Sequence, residues 1–350
     1  MKSPRPLSST AYGQAWCGNS LELIDRLDDE SVNLVMTSPP FPLLRPKAYG
    51  NEDQSGYVDW LAGFAEKIMP KLATDGSFVI DLGGACQRGT PSRSLHIYKV
   101  VLRLCEDLGY HLCQEFYWHN TAKLPSPIEW VYRRKIRAKD AVNTILWLGK
   151  SPWPKANVRN VLTPYSERMR KLLAETDTRS EEAVRPSGHS MTRTIARDNG
   201  GAIPSNVLEI PNTSSNDAYL RRCKRLGVIL HPARYPRLFP EFFIRMLTAP
   251  GDLVVDIFAR SNTTGEAAER LQRRWISFEM NREYVASSAL RFSADACDDE
   301  LRSSYMALLE ASELALTGMP SAPTDGPRCR LAGDCSVGAD LERVAVGFNP

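Results

Sequence analysis

The feature that most limits how this chain can fold is the order of its apolar stretches, in which short strand-like runs alternate with longer runs of helical period. SLELIDRL (20–27) is helical in spacing, and SVNLVMTS (31–38) is a compact apolar run of strand character. YVDWLAGFAEKIMPKLA (57–73) is helical again and is closed by the turn residues Asp75 and Gly76; SFVIDLGG (77–84) is a strand ending at glycines. LHIYKVVLRLCEDLGY (95–110) predicts an amphipathic helix with Gly109 as its stop, and AVNTILWLGK (141–150) predicts a further strand. The alternation returns as LFPEFFIRMLTA, DLVVDIF, GEAAERLQRR and WISFEM over 238–280. Strands that alternate with helices give a mostly parallel sheet covered on both faces, so the expected class is α/β.

Between the two blocks the character changes. Residues 151–204 are rich in Arg, Ser, Thr, Asn and Pro with weak periodicity, which predicts a lobe outside the main sheet. This divides the chain into 1–150, the lobe at 151–204, a second α/β part at 205–316, and an aperiodic tail at 317–350 expected to be poorly ordered. Charge follows the same division: from Lys123 to Arg237 there are 22 Lys/Arg against 10 Asp/Glu, while the whole chain carries only +3. A basic middle section suits a polyanion, because its cations displace the counterions that phosphates hold. No apolar run approaches the roughly 20 residues of a membrane span, so no membrane partner is expected. The opening MKSPRPLSST lacks a secretory apolar segment. Eight cysteines without a CxxC pair suit reduced thiols in a cytoplasmic setting, with no metal site expected.

Two loops carry chemistry. Directly after the first strand stands Thr37-Ser38-Pro39-Pro40-Phe41. Consecutive prolines fix φ and remove two amide donors, leaving carbonyls at a strand's C-terminal edge, where open α/β sheets bind ligands. The Ser38 hydroxyl and the Pro39 carbonyl make two acceptors, the complement of an amino group with two hydrogens. Phe41 offers a flat face on which a base can stack. The second loop, Asp256-Ile257-Phe258-Ala259-Arg260-Ser261-Asn262-Thr263-Thr264-Gly265, joins a buried strand to a helix whose N-terminus is available to an anion. About twenty residues on, Glu279 ends the strand WISFE, where an acid can hold two ribose hydroxyls. Strand, loop, helix, strand and acid in that order form a nucleotide-type cofactor arrangement.

Taken together, TSPPF, HPARYP (231–236), DIFxxSNTTG and WISFE resemble the beta group of DNA amino-methyltransferases, over about Tyr12 to Phe292. The resemblance implies a Rossmann-like methyltransferase fold with a mixed, mostly parallel sheet. The motif order is circularly permuted, with the SPP motif ahead of the cofactor loop, and a small DNA-recognition lobe is added. It implies S-adenosyl-L-methionine as cofactor and double-stranded DNA as substrate; a restriction–modification setting with a cognate endonuclease for the same site and an orphan regulatory enzyme are both compatible with it. Ser38, Pro39, Pro40 and Phe41 would form the catalytic pocket. Phe258, Ser261, Asn262, Thr263 and Thr264 would hold the methionine end of the cofactor, helped by the His231-Pro232 segment. Glu279 would bind the ribose, with Asn19 of the Gly18-Asn19-Ser20 turn near the adenine. The 151–204 lobe would contact the target DNA.

The expected reaction is site-specific methylation of the cytosine N4 amine, with the base flipped out of the duplex and the methyl passed in line. Serine ahead of Pro-Pro favours cytosine, and the absence of a Pro-Cys dipeptide argues against a covalent carbon-5 route. Adenine-N6 methylation is the alternative within the same chemistry. Two departures bear on the cofactor: Ala259 and Arg260 stand where the group has a glycine pair, and Asn19 stands where it has Asp. An arginine there either enters the cofactor space or turns to solvent. A DNA-binding protein that has lost its cofactor through Ala259 and Arg260 is the third reading.

Overall fold

The computed structural model describes residues 5–42, 54–174, 198–213, 217–293 and 296–310. The expected tail at 317–350 and positions 175–197 of the expected lobe lie outside them. Among the described residues, nine strands form one sheet: β1 Ser8–Ser9, β2 Gly13–Cys17, β3 Val32–Thr37, β4 Leu72–Gly83, β5 His111–His119, β6 Val142–Gly149, β7 Val207–Glu209, β8 Leu253–Asp256 and β9 Arg274–Glu279. Their order is β1-β2-β9-β8-β3-β4-β6-β5-β7. The run β2-β9-β8-β3-β4 is parallel throughout, β6 is reversed between β4 and β5, and β7 lies parallel to β5. The sheet is therefore mixed and mostly parallel, as expected.

Successive strand residues face opposite layers, and the apolar pattern fills both. Leu34, Met36, Val79, Ile145, Trp147, Val254 and Trp275 point into one core. There they meet α6 (Leu238–Leu247), α7 (Thr263–Arg270) and α8 (Arg282–Ser288). Val35, Phe78, Ile80, Leu82, Leu146, Leu148 and Val255 point into the other, against α1 (Ser20–Ile24), α2 (Tyr57–Ile68) and α3 (His96–Leu102). The remaining helices are α4 (Glu167–Ala174), α5 (Ala218–Leu226) and α9 (Asp298–Glu310). Among the described residues, no helix is long and apolar enough to cross a membrane.

Two local departures have simple causes. The helical reading of 57–73 stops at Ile68, because Pro70 has no amide to continue the ladder; a 3₁₀ turn, Met69–Lys71, follows. Asp75 and Gly76 do not close that helix but bulge within β4, where Val32 pairs with Leu72 and Leu34 already pairs with Ser77. The segment 151–161 returns to the main body: Asn157 N–H donates to Met246 O (2.7 Å), Asn160 Nδ2 to Arg245 O (3.0 Å) and Lys155 Nζ to Asp252 (2.6 Å). Beyond it, Thr163 pairs with Ala202, and Tyr165 Oη donates to Asp198 Oδ1 (3.1 Å) and accepts from the Asn199 amide (2.8 Å), so the two described flanks of the middle segment meet.

Candidate active site

The switch in the sheet fixes where a site can form. Chain leaving β8 crosses through α7 to β9 on one side, and chain leaving β3 crosses through α2 to β4 on the other. Adjacent strands whose connections diverge leave a crevice beyond their C-terminal ends. Both chemistry-bearing loops open into it. A buried knot holds them together. Asp256 Oδ1 accepts from Thr37 Oγ1 (2.7 Å) and the Phe258 amide (3.1 Å), and Oδ2 accepts from Thr264 Oγ1 (2.6 Å) and Tyr235 Oη (3.1 Å). Burial raises the Asp256 pKa, although all four hydrogen bonds favour the carboxylate. Residues 37, 235, 256 and 264 thus share one carboxyl group.

On the β3 side Ser38 is 2% exposed, and its Oγ donates to Asp81 Oδ2 at 2.9 Å. Asp81 Oδ1 accepts from Asn143 Nδ2, also at 2.9 Å. A hydroxyl that donates to a carboxylate keeps its lone pairs for another partner, so this bond turns Ser38 into an acceptor facing the cleft. Asp81 itself is 3% exposed; burial raises its pKa, and the bonds from Asn143 and Ser38 and the charge of Arg260 oppose that rise. Sequence reasoning missed both Asp81 and Asn143. The signal was present, since Asp81 is a lone acid in the apolar run SFVIDLGG, and such an acid persists in a buried strand only with partners. Pro39 is buried beside Ser38, and Phe41 lies against Gly83, where a Cβ would come within 2.4 Å of the ring. Gly83 is therefore the floor under the expected stacking face.

On the β8 side the expected cofactor residues are brought together, yet most of their side chains are turned inward. Thr264 is committed to Asp256 and Tyr235. Ser261 Oγ and Thr263 Oγ1 each accept from Arg291 Nη2 at 3.2 Å, while Arg291 Nε donates to the Ser261 carbonyl. Arg291, which sequence reasoning missed, is buried over the Tyr219 ring and paired with Glu266, so it clamps this loop from beneath. Its position thirty residues beyond the loop carries no local pattern. Asn262 caps α7 from the left-handed region (φ 54°), its Oδ1 accepting from the Gly265 amide (3.1 Å). Gly265 admits this cap because a Cβ there would lie 2.3 Å from that Oδ1. The Asn262 Nδ2 is buried without a hydrogen-bond partner among the described residues. An orphaned donor at a helix N-terminus suits an anionic ligand group.

The Phe258 ring packs against Trp60 and Phe64 of α2, with ring centroids 5.4 and 4.9 Å away. Glu279 Oε2 accepts from the Arg260 amide (2.9 Å) and Oε1 from the Asn281 amide (2.9 Å); burial raises its pKa. The turn bearing Asn19 joins this group through Gly18 N–H to Glu279 O (3.0 Å) and Ser20 Oγ to Ile257 O (2.6 Å). Asn19 Oδ1 caps α1 by accepting from Leu21 N (3.1 Å). His231 is 2% exposed beside the Tyr284 ring, with a pKa lowered to about 4, chiefly by burial and then by the charge of Arg260. Pro232 is exposed at the rim.

Arg260 decides between the two courses left open for it. Its backbone is left-handed (φ 53°), and its Nη2 donates to the Pro39 carbonyl at 3.1 Å. The side chain enters the cleft and spans from the 256–265 loop to the 37–41 loop.

This frame has known counterparts. A protein-family model described as DNA methylase matches residues 32–290, a span that takes in both loops of the cleft. The chain belongs to the DNA methylase family. Within the family it is similar to the type II methyltransferase M.PvuII of Proteus hauseri, with 51% identity over 90% of this chain and 94% of that protein. A solved structure of the PvuII DNA methyltransferase, described as cytosine-N4-specific, superposes with a TM-score of 0.72 at 45% identity, covering 88% of this chain and 96% of the other. The type II methyltransferase M1.MboII of Moraxella bovis is 25% identical over 76% of this chain and 91% of its own length. The methylase fold and its permuted loop order, Ser38 ahead of Asp256, are thus those of the family.

Proposed function

We propose that this methylase transfers a methyl group from S-adenosyl-L-methionine to the N4 amine of a cytosine flipped out of double-stranded DNA. The observation that carries this reading is the Ser38–Asp81 hydrogen bond, set one buried carboxylate away from a helix-capping loop with an unpartnered donor. The residues present suit the cofactor: Asn262 Nδ2 and the α7 N-terminus for its carboxylate, and Glu279 at a strand end for its ribose hydroxyls, with Asn19, His231 and Pro232 around them. Ser261, Thr263 and Thr264 shape that loop through internal bonds, and Phe258 walls it against α2. When bound, the cofactor supplies an electrophilic methyl on a cationic sulfur.

The protein's own part is to position an amine that is a poor nucleophile. Phe41, seated on Gly83, stacks the base, while Pro40 stiffens the loop. Ser38 Oγ and Pro39 O take one amine hydrogen each, which draws the nitrogen toward tetrahedral geometry and frees its lone pair. As the nitrogen gains the methyl it must lose a proton. Ser38 can accept that proton while passing its own to Asp81, whose raised pKa makes it a better proton acceptor than an ordinary aspartate.

A cytosine target follows from likeness to a relative described as cytosine-N4-specific; adenine-N6 methylation and a non-catalytic role draw no such support. The segment 151–204 is proposed to read the DNA site. Relatives named type II methyltransferases suggest a restriction endonuclease of the same site specificity as a partner. The test is incubation with labelled S-adenosylmethionine and mixed-sequence duplex, followed by digestion to nucleosides. Labelled N4-methylcytosine is expected. Label in N6-methyladenine, or none in DNA, overturns the reading.

A further inference from the structure

Arg260 is the cleft residue that the proposed transfer does not use. Its backbone amide is fastened to Glu279 Oε2 at 2.9 Å, and its φ of 53° is a conformation in which glycine is at ease and arginine is not. Its guanidinium donates to Pro39 O at 3.1 Å, the carbonyl assigned above to an amine hydrogen. A planar base and this guanidinium cannot occupy the same side of that carbonyl. Charge adds a second conflict. In-line transfer to an amine held at Pro39 brings a sulfonium close to that oxygen, while a fixed cation already stands beside it. Once the methyl has left, the sulfur is a neutral thioether and the repulsion is gone.

We propose that Arg260 makes this site discriminate by charge against its own methyl donor, weakening S-adenosylmethionine relative to the neutral product S-adenosylhomocysteine, and that its side chain must leave the Pro39 carbonyl before a base can engage. The inference rests on the methyltransferase reading. Asp81 and Glu279, whose carboxyl groups feel the charge of Arg260, attract a sulfonium and offset part of the repulsion; being common to wild type and variants, they cancel when the donor-to-product ratio of one is compared with that of another.

The experiment is calorimetric titration of S-adenosylmethionine and of S-adenosylhomocysteine into the wild-type protein, Arg260→Gly and Arg260→Lys. Glycine suits the left-handed backbone, so that variant does not burden the fold. Arg260→Gly is expected to raise the donor-to-product affinity ratio about tenfold, as removal of a like charge several ångströms away would do. Arg260→Lys keeps the charge and should keep the wild-type ratio. A ratio in Arg260→Gly within about threefold of wild type, which is below 1 kcal/mol, overturns the inference. So does an Arg260→Lys ratio equal to that of glycine, because space rather than charge would then be at work. If neither ligand binds wild type or Arg260→Gly, the methyltransferase reading itself falls, and this inference falls with it.

Discussion

Replacement of Asp81 by asparagine isolates the contact on which the proposed chemistry turns. The two side chains have nearly the same shape, and the bond to Asn143 survives if the new carbonyl faces it. The amide nitrogen then faces Ser38 Oγ in place of Oδ2, now at 2.9 Å, and donates where the carboxylate accepted. The serine proton is turned toward the incoming amine, and the hydroxyl becomes a donor where an acceptor is needed. A hydrogen bond to a charged group is worth about 1.5–3 kcal/mol, which corresponds to a loss of roughly 10- to 150-fold in rate. Because the contact acts on the reacting amine, the loss should fall chiefly on the single-turnover rate of methylation and far less on the calorimetric affinity for S-adenosylmethionine.

The same variant carries a stability signature of opposite sign. Burial raises the Asp81 pKa in the folded protein. For an acid raised on folding, the stabilising contribution is present below the unfolded pKa and is lost as pH rises through the folded one. At neutral pH the ionised carboxylate therefore costs stability, and Asp81→Asn should melt at or above the wild-type temperature, with the advantage shrinking as pH falls. The wild-type rate should decline with acidification at a pH above the ordinary carboxylate range, and Asp81→Asn should lack that limb. Turnover within about twofold of wild type, well short of what loss of a charge-assisted bond predicts, would refute the reasoning. So would a loss explained wholly by weaker cofactor binding.

Three further perturbations test the frame. Gly83→Ala puts a Cβ 2.4 Å from the Phe41 ring; displacing a stacking face worth about 1–3 kcal/mol should cut kcat/KM for DNA about five- to hundredfold and spare cofactor affinity, as equilibrium binding can check. Glu279→Ala removes the acceptor of two backbone amides as well as the proposed ribose ligand; the Kd for S-adenosylmethionine should rise about tenfold or more, and an unchanged titration would reject the role. His231 has a folded pKa of about 4, below the ordinary value, so its contribution is present above about pH 6.5 and is lost as pH falls toward 4, on the order of 3 kcal/mol in all. Urea unfolding at pH 7, 6 and 5 should show that decline, and His231→Gln should flatten it.

Much of the frame was legible because burial writes itself into local pattern. Val32–Thr37, Leu253–Asp256 and Arg274–Glu279 are apolar runs at sheet positions covered on both faces, and α6 and α7 carry a helical stripe. Elements at the margins were less legible. GQAWC pairs with β9 only because Gly13 lets the Trp275 ring pass 2.2 Å from where a Cβ would stand, and VLE is an edge strand of three residues. Neither has enough length to show a period. Arg291 holds the loop bearing Ser261 and Thr263 from about thirty residues away, a separation over which no spacing rule operates.

The sequence by itself singled out the residues proposed to carry the chemistry: Ser38 to Phe41 after one strand, Asp256 to Gly265 after another, and an acid at 279. Only the tertiary structure decided what those residues are attached to. Asp256 gathers Thr37, Tyr235 and Thr264, Asp81 sets the direction of the Ser38 proton, and Arg260 reaches the Pro39 carbonyl. The physical reason is that propensity and periodicity act along a few consecutive residues. A hydrogen bond between positions more than two hundred residues apart exists only once the sheet has brought their strands side by side.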